Sequence, residues 1–293
     1  MSAIAAGNNF PKEIVTEMFS KVSGHSSVAK LADQIPVAFS GNEIMTFSLD
    51  HEVALVGENG AKPAGDATLG VVNVVPVKVV YQMRVSDEFK NCAEEKRLQY
   101  LGAFADGMAK KIARGLDIMV FHGLNPYDST TSSIIGTNCL DRNASVTLTT
   151  YSAAEANIGS AITAIGDYDC TGIAMSKAFA ANLAATTYTG GQHPYEEFMW
   201  GGNPGAVRGI PADVNPTVAV SASTAVSRYA YVGDFANALK WGYAENIPME
   251  VIEYGDPDNA GDLKRYNQVL LRAEAYIGWG ILDGAAFSRI ASA

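Results

Sequence analysis

The sequence predicts a mixed α+β fold, and three observations carry that expectation. A long amphipathic helical pattern runs through residues 86–123, β-rich stretches lie before it and again near the end of the chain, and an alternating strand–helix region fills the space between. With 293 residues, 48% of them hydrophobic, the chain is long enough for one large core or two smaller ones.

Residues 1–35 read as an arm. Phe10-Pro11-Lys12-Glu13 opens a short amphipathic segment carrying Ile14, Val15, Met18 and Phe19; polar Ser23-Gly24-His25-Ser26-Ser27 follows, then Val28, Leu31 and Ile35 before Pro36. This is too little apolar surface for a core of its own, so the arm is expected to lie on something else.

From Val37 to Arg84 the pattern is that of strands. Ile44-Met45-Thr46-Phe47-Ser48-Leu49 and the run from Val71 to Tyr81 are rich in β-branched and aromatic residues. Between them, residues 57–66 form a polar tip with turn chemistry. The expectation is one long two-stranded hairpin, with Pro76 marking an edge strand or a bulge. An isolated ribbon is marginal in water, so it either reaches a neighbouring molecule or folds back on its own domain; the pattern leaves both open.

In the long helix, Leu98, Leu101, Ala105, Met108, Ile112, Leu116 and Met119 recur at steps of three and four and share a stripe of roughly 80°. Lys96, Asp106, Lys110, Arg114 and Asp117 group on the other side, with Asp106 one turn before Lys110 as a helpful ion pair. Ser86, Asp87 and Glu88 offer capping oxygens ahead of it, a break near Asn91 could split off a short first helix, and Gly123, Asn125 and Pro126 stop the run. The part from Glu94 onward would be about 45 Å long. Gly102, Gly107 and Gly115 each cost roughly 1 kcal/mol, so packing along its whole length is expected to hold it.

Residues 127–240 read as a compact α/β region. Val146-Thr147-Leu148-Thr149 is a strand, 152–165 an Ala-rich helix with Ser152 as cap and Glu155 in the capping-box position, and Thr171-Gly172-Ile173-Ala174-Met175 a buried strand before a helix through Phe179 and Leu183. A glycine-rich loop spans residues 190–209, and Val232-Gly233-Asp234-Phe235 is strand into turn. Two strands then return, Met249 to Tyr254 and Gln268 to Ile277, joined by a turn through Asp256-Pro257-Asp258.

Composition narrows the function classes. A net charge of −10 argues against a surface built to grip phosphates, without excluding a protein that encloses nucleic acid. No apolar run reaches the ~18 residues of a membrane span, and the start lacks the basic flank and apolar core of a signal peptide, so a cytosolic origin is expected. Cys92, Cys139 and Cys170 are odd in number and lack a CxxC pair, which predicts reduced thiols. Reactive motifs fail on inspection. Residues 65–70 have phosphate-loop glycine spacing without the lysine, His51-Glu52 lacks its second histidine, and Gly201-Gly202-Asn203-Pro204-Gly205 is no dinucleotide loop. Glu196-Glu197 and Asp256/Asp258 read as solvated or turn residues, and Lys62 and Lys78 as exposed lysines. No catalytic, cofactor or metal residue is assigned.

The order of parts, with Val56-Gly57-Glu58-Asn59-Gly60-Ala61-Lys62-Pro63, Tyr81-Gln82-Met83-Arg84-Val85-Ser86-Asp87-Glu88, Gly233-Asp234-Phe235 and Ala285-Ala286-Phe287, resembles the major capsid proteins of tailed bacteriophages, whose shell fold is shared with encapsulins. The resemblance implies an α+β shell fold: an N-arm (1–35), a first part of the peripheral domain (36–127, with an extended loop at about 50–79 and a spine helix at about 86–123), an axial domain (128–240), and returning peripheral strands with a C-terminal segment (241–293). It further implies intersubunit contacts through Phe10, Ile14, Met18 and Phe19 of the arm and Val56, Glu58, Lys62 and Pro63 of the loop.

The function so implied is a structural, non-enzymatic subunit that self-assembles as hexamers and pentamers into an icosahedral shell around packaged double-stranded DNA. It would form in the host cytoplasm with a portal and, because the arm follows Met1 almost at once, a separate scaffolding protein. No membrane partner is expected. The alternatives are an encapsulin-like cargo compartment and a soluble α/β enzyme using residues 190–209 as a ligand lid.

Overall fold

The computed structural model describes residues 21–22, 24–49, 52–88, 92–144, 146–148, 153–221, 228–244 and 249–291. In chain order, a helical turn α1 (Ser27–Leu31) and a short β1 (Asp33–Gln34) lead into β2 (Asn42–Leu49), β3 (Ala67–Val74) and β4 (Val77–Ser86). The long helix α2 (Glu94–His122) is followed by α3 (Leu140–Asn143), β5 (Val146–Leu148), α4 (Ala154–Ala164), β6 (Gly172–Met175) and α5 (Lys177–Ala184). Then come β7 (Ala206–Val207), β8 (Ile210–Val214), β9 (Arg228–Gly233), α6 (Phe235–Ala238), β10 (Leu239–Tyr243), β11 (Met249–Ile252), β12 (Gln268–Ile281) and β13 (Phe287–Ala291).

Two sheets and one separate ribbon result. In the first sheet β12 is central: β10 and β11 pair along one edge and β4 along the other, and β1 extends it beyond β10. The second sheet has the order β5-β13-β9-β6-β8-β7, so the end of the chain returns to it. There the two C-terminal motifs meet. Phe287 sits opposite Gly233, the Asp234 N–H donates to the Ala286 carbonyl at 3.1 Å, and the Phe235 and Phe287 rings lie edge to face at 5.2 Å.

Strict alternation makes β12 two-faced. Val269, Leu271, Ala273, Ala275, Ile277, Trp279 and Ile281 face the core with Leu101, Phe104, Met108, Ile112, Leu116 and Met119 of α2. On the opposite face Gly278 and Gly280 carry no side chain, and β3 crosses there. A Cβ at Gly280 would lie 2.8 Å from a Val74 methyl, and one at Gly278 3.1 Å from the other. The ribbon β2–β3 is rooted on that gap.

Several expectations need correcting. The run from Val71 to Tyr81 is two strands: β3 pairs with β2, the chain breaks at Val75-Pro76, and β4 pairs with β12 in another sheet. Proline, lacking a ladder donor, marks the change of partner. The long helix begins at Glu94 as expected, but Ser86 closes β4 and does not cap it, and Asn91, where a break was expected, lies outside the described residues; the N-cap Ala93 makes no side-chain hydrogen bond, while Gly123 ends the helix in the left-handed conformation. Packing does not run its whole length either. Leu98 and Tyr100 are exposed, because the core begins at Leu101. Asp106 pairs with Lys21 at 2.7 Å rather than with Lys110. The α4 N-cap is Ala153, with Ser152 outside the described residues, and the Glu155 carboxylate accepts from the Tyr188 and Tyr195 hydroxyls instead of closing a capping box. Two expectations hold: Asp256 and Asp258 are turn residues, which Arg84 braces from β4, and Lys78 is exposed, pairing with Glu274 at 2.7 Å.

Asp117, expected on a solvated face, is fully buried. Five donors reach it: Ser26 Oγ (2.5 Å), the Ser27 and Val28 N–H groups (both 3.1 Å), Asn215 Nδ2 (3.0 Å) and Thr217 Oγ1 (2.9 Å). It ties the start of α1 and the segment after β8 to α2. Burial raises its pKa to about 6, against the pull of those hydrogen bonds, while the Arg84 guanidinium holds Asp258 down at about 2.

Asp117→Ala should therefore lower the urea stability of the unassembled chain by roughly 2–4 kcal/mol, since five donors lose their acceptor, with Asp117→Asn milder. The Asp117 contribution is full below the unfolded value of 3.8 and is lost as pH rises through about 6, whereas the Asp258 contribution is present above 3.8 and fades as pH falls toward 2. Urea melts across that range should show the upper decline flattened in Asp117→Asn.

Candidate assembly surface

The ribbon carries an uncovered apolar face. Its antiparallel register sets Met45 opposite Val71, Phe47 opposite Leu69 and Leu49 opposite Ala67. Alternation puts all six on one side. Met45 is 70% exposed, Phe47 62% and Leu69 65%, and Leu49 and Val71 are also open to solvent. The other side, with Ile44, Val72 and Val74, turns toward the body, where Val74 is fully buried. Phe39 braces the base edge-on against Tyr276 at 5.0 Å.

Beyond the stem, residues 52–66 form an exposed tip without regular secondary structure. Asn59 adopts φ 63°, and the Gly60 N–H donates to the Gly57 carbonyl at 3.0 Å. Val56, Glu58, Lys62 and Pro63 all lie in this tip and are exposed. Phe10, Ile14, Met18 and Phe19 lie outside the described residues. The stem ladder of Met45, Phe47, Leu49, Leu69 and Val71 is the part that the sequence reading passed over. Its signal was present in β2, but Ile44-Met45 and Phe47 fill both phases of the alternation, so the exposed face did not declare itself.

A cleft of about 550 Å³ lies between β4 and α2, bordered by Val79, Tyr81, Met108, Ile112, Met119 and Ile134. Among the described residues no strand pairs with the outer edge of β4.

One cluster has the composition of a catalytic relay. His122 Nδ1 lies 3.0 Å from Asp141 Oδ2, and the Tyr231 hydroxyl donates to Asp141 Oδ1 at 2.7 Å. Yet His122 Nε2 lies 2.9 Å from the Thr217 carbonyl and the imidazole is buried, so both ring nitrogens are taken up by protein groups. Arg289 Nη1 also donates to Asp141 Oδ1 at 3.0 Å. The cluster joins the end of α2 to α3, β9 and β13. Burial raises the Cys139 thiol pKa, away from the thiolate a nucleophile needs. Among the described residues no group of three His, Cys, Asp or Glu side chains could hold a metal ion, and no helix is long and apolar enough to cross a membrane.

The model of the phage capsid family matches residues 6–291 of the chain. No curated protein matches at significance. Among solved structures, one from Mycobacterium phage Ogopogo is 30% identical with a TM-score of 0.78, each chain covered over 92% of its length. One from Gordonia phage Cozz is 24% identical with a TM-score of 0.72, covering 92% of this chain and 87% of that one. A capsid of a native gene transfer agent (GTA) particle is 14% identical with a TM-score of 0.64, covering 93% of this chain and 90% of that one.

Replacing both Phe47 and Leu69 with Ser should lower the stability of the isolated chain by no more than about 1 kcal/mol, the value of one exposed cross-strand pair. The same change should reduce self-association in sedimentation velocity runs.

Proposed function

The chain belongs to the phage capsid family and is a structural shell protein, and we propose that copies of it close, as rings of five and six, the icosahedral head that encloses the double-stranded DNA of a tailed phage. The observation that carries this reading is the apolar ladder on the ribbon stem, which the chain's own fold leaves uncovered. Each such side chain is worth roughly 1.5–3 kcal/mol when fully buried, and in a shell the surface that buries it is a sibling copy.

On this reading the first sheet, α2 and the ribbon form the peripheral domain (36–127 and the returning strands of 241–293), and the second sheet with α4 and α5 the axial domain (128–240), to which the C-terminal segment adds β13. The tip residues Val56, Glu58, Lys62 and Pro63 make intersubunit contacts, as do Phe10, Ile14, Met18 and Phe19 of the arm. The gene transfer agent structure, described with five-fold symmetry, supports ring-based assembly. The net charge of −10 suits a wall that contains DNA without gripping it. No side chain is asked to do chemistry. A portal and a separate scaffolding protein are the remaining partners, and assembly takes place in the host cytoplasm.

The test is expression of the full chain with its flanking genes, followed by negative-stain microscopy and nuclease treatment. Closed shells with nuclease-protected DNA are expected. Deleting residues 54–68 should leave a soluble, folded subunit that forms no shells; normal particles from that deletion would remove the tip as an intersubunit device, and particles filled with an enzyme in place of DNA would identify a cargo compartment.

A further inference from the structure

The turn Glu196–Gly201 carries a side chain that its own molecule does not use. Trp200, at φ 59° and ψ 22°, adopts the left-handed conformation, and Gly201 follows at φ 83°. The turn is wound so tightly that a Cβ at Gly202 would lie 2.1 Å from the Glu197 carbonyl oxygen. A left-handed non-glycine residue costs about 1–2 kcal/mol, and asparagine or glycine would adopt it at less cost. The indole offsets none of this within the chain, because it is fully exposed.

Beside the turn runs an apolar groove of about 310 Å³, with α5 as its other wall. Ala180, Ala184 and Phe198 line it, Ala181 and Ala185 stand exposed at its rim, and Lys177 is its one charged residue. The two walls differ in charge. Glu196 and Glu197 are exposed on the turn, and Lys177 is exposed at the first position of α5, where the helix dipole adds positive potential.

We propose that Trp200 of one copy seats against the alanine face of α5 of the next copy around a ring, so that this turn and this groove form the axial contact within each capsomer. A second copy is the occupant for three reasons. A projecting apolar side chain and an apolar recess on one chain form a head-to-tail pair, and head-to-tail contacts between identical copies generate a ring when their rotation closes, as the proposed five- and six-membered capsomers require. The acidic turn of one copy then faces Lys177 and the helix N-terminus of the next. A buried tryptophan covers 150–250 Å² or so, a fit for a shallow recess walled by methyl groups, and tryptophan is among the residues that most often carry an interface. The proposal rests on the shell reading above and names the partner surface within it.

The full chain and its variants, expressed with the flanking genes, provide the test. Trp200→Gly removes the indole and relieves the left-handed strain, so the isolated variant should melt at or above the wild-type temperature, while the concentration needed to form shells rises at least tenfold. Copies carrying Trp200→Cys mixed with copies carrying Ala181→Cys should yield a disulfide-linked dimer under mild oxidation, which neither variant gives alone. Shells from Trp200→Gly at the wild-type concentration would overturn the proposal, as would crosslinking of Trp200→Cys copies to one another, which marks a two-fold contact. If the wild-type chain forms no particles at all, the shell reading itself falls and this contact with it.

Discussion

Everything around the first sheet hangs on β12 having two unlike faces. One face buries a continuous row from Val269 to Ile281 against α2, and Trp279 at its end exchanges hydrogen bonds with the Asn138 backbone and side chain. The other face is stripped of side chains at Gly278 and Gly280, so that Val72 and Val74 of β3 can lie within van der Waals reach of the backbone. The same three residues, Gly-Trp-Gly, therefore anchor the core and seat the ribbon. A methyl group at either glycine would push the ribbon off the sheet, or the sheet off the helix. The projecting element is fixed by the absence of two side chains and needs no third layer of its own.

The second organising device is polar. Asp117 and His122, five residues apart on α2, both take hold of the segment that follows β8: the carboxylate accepts from the Thr217 hydroxyl, and the imidazole faces the Thr217 carbonyl. Asp117 also gathers the N-terminal N–H groups of α1. Alongside it, Asp213 accepts from Ser27 Oγ and Lys30 Nζ, both at 2.5 Å; burial alone would raise its pKa, and these partners together with Asn203 bring it below the usual value. Buried groups so fully satisfied specify one arrangement where greasy packing would tolerate several. The exit of the arm is thereby referenced to both sheets at once.

What was legible in the sequence follows the reach of local patterning. The three-and-four spacing of the long helix and the returning strand through Gln268–Ile277 are local signals, and the structure has both. The split at Pro76 was hidden because β-branched residues continue on both sides, and no local rule says that a strand changes sheets. Asp117 was misplaced because a helical wheel records which face a residue is on and not what arrives from Ser26 or Thr217. The same wheel places Leu98 in the core, yet it is exposed and the buried row begins at Leu101. On the candidate assembly surface, the tip announced itself by turn chemistry, whereas the stem ladder needed the register between β2 and β3. Trp200 carried no pattern at all; only its backbone angle and its exposure single it out.

Those exposures have a common logic. A long, flat, apolar ribbon is an aggregation hazard, and this one is bounded by a tip carrying Glu58, Lys62, Pro63 and Asp66, residues that resist unplanned strand pairing. The core does not depend on the ribbon's outer face, since Met45, Phe47 and Leu69 contribute little to a fold that leaves them in water. On the proposed shell, association can be weak at each contact and still hold in a closed particle, because a copy gripped at several places meets the entropy of joining once per subunit, not once per contact. Strong single contacts would trap partial shells before they closed. A fold that keeps its own stability in β12, α2 and the Asp117 cluster, and leaves modest apolar patches for neighbours as proposed, would avoid that trap by separating the residues that hold the subunit together from those offered to other subunits.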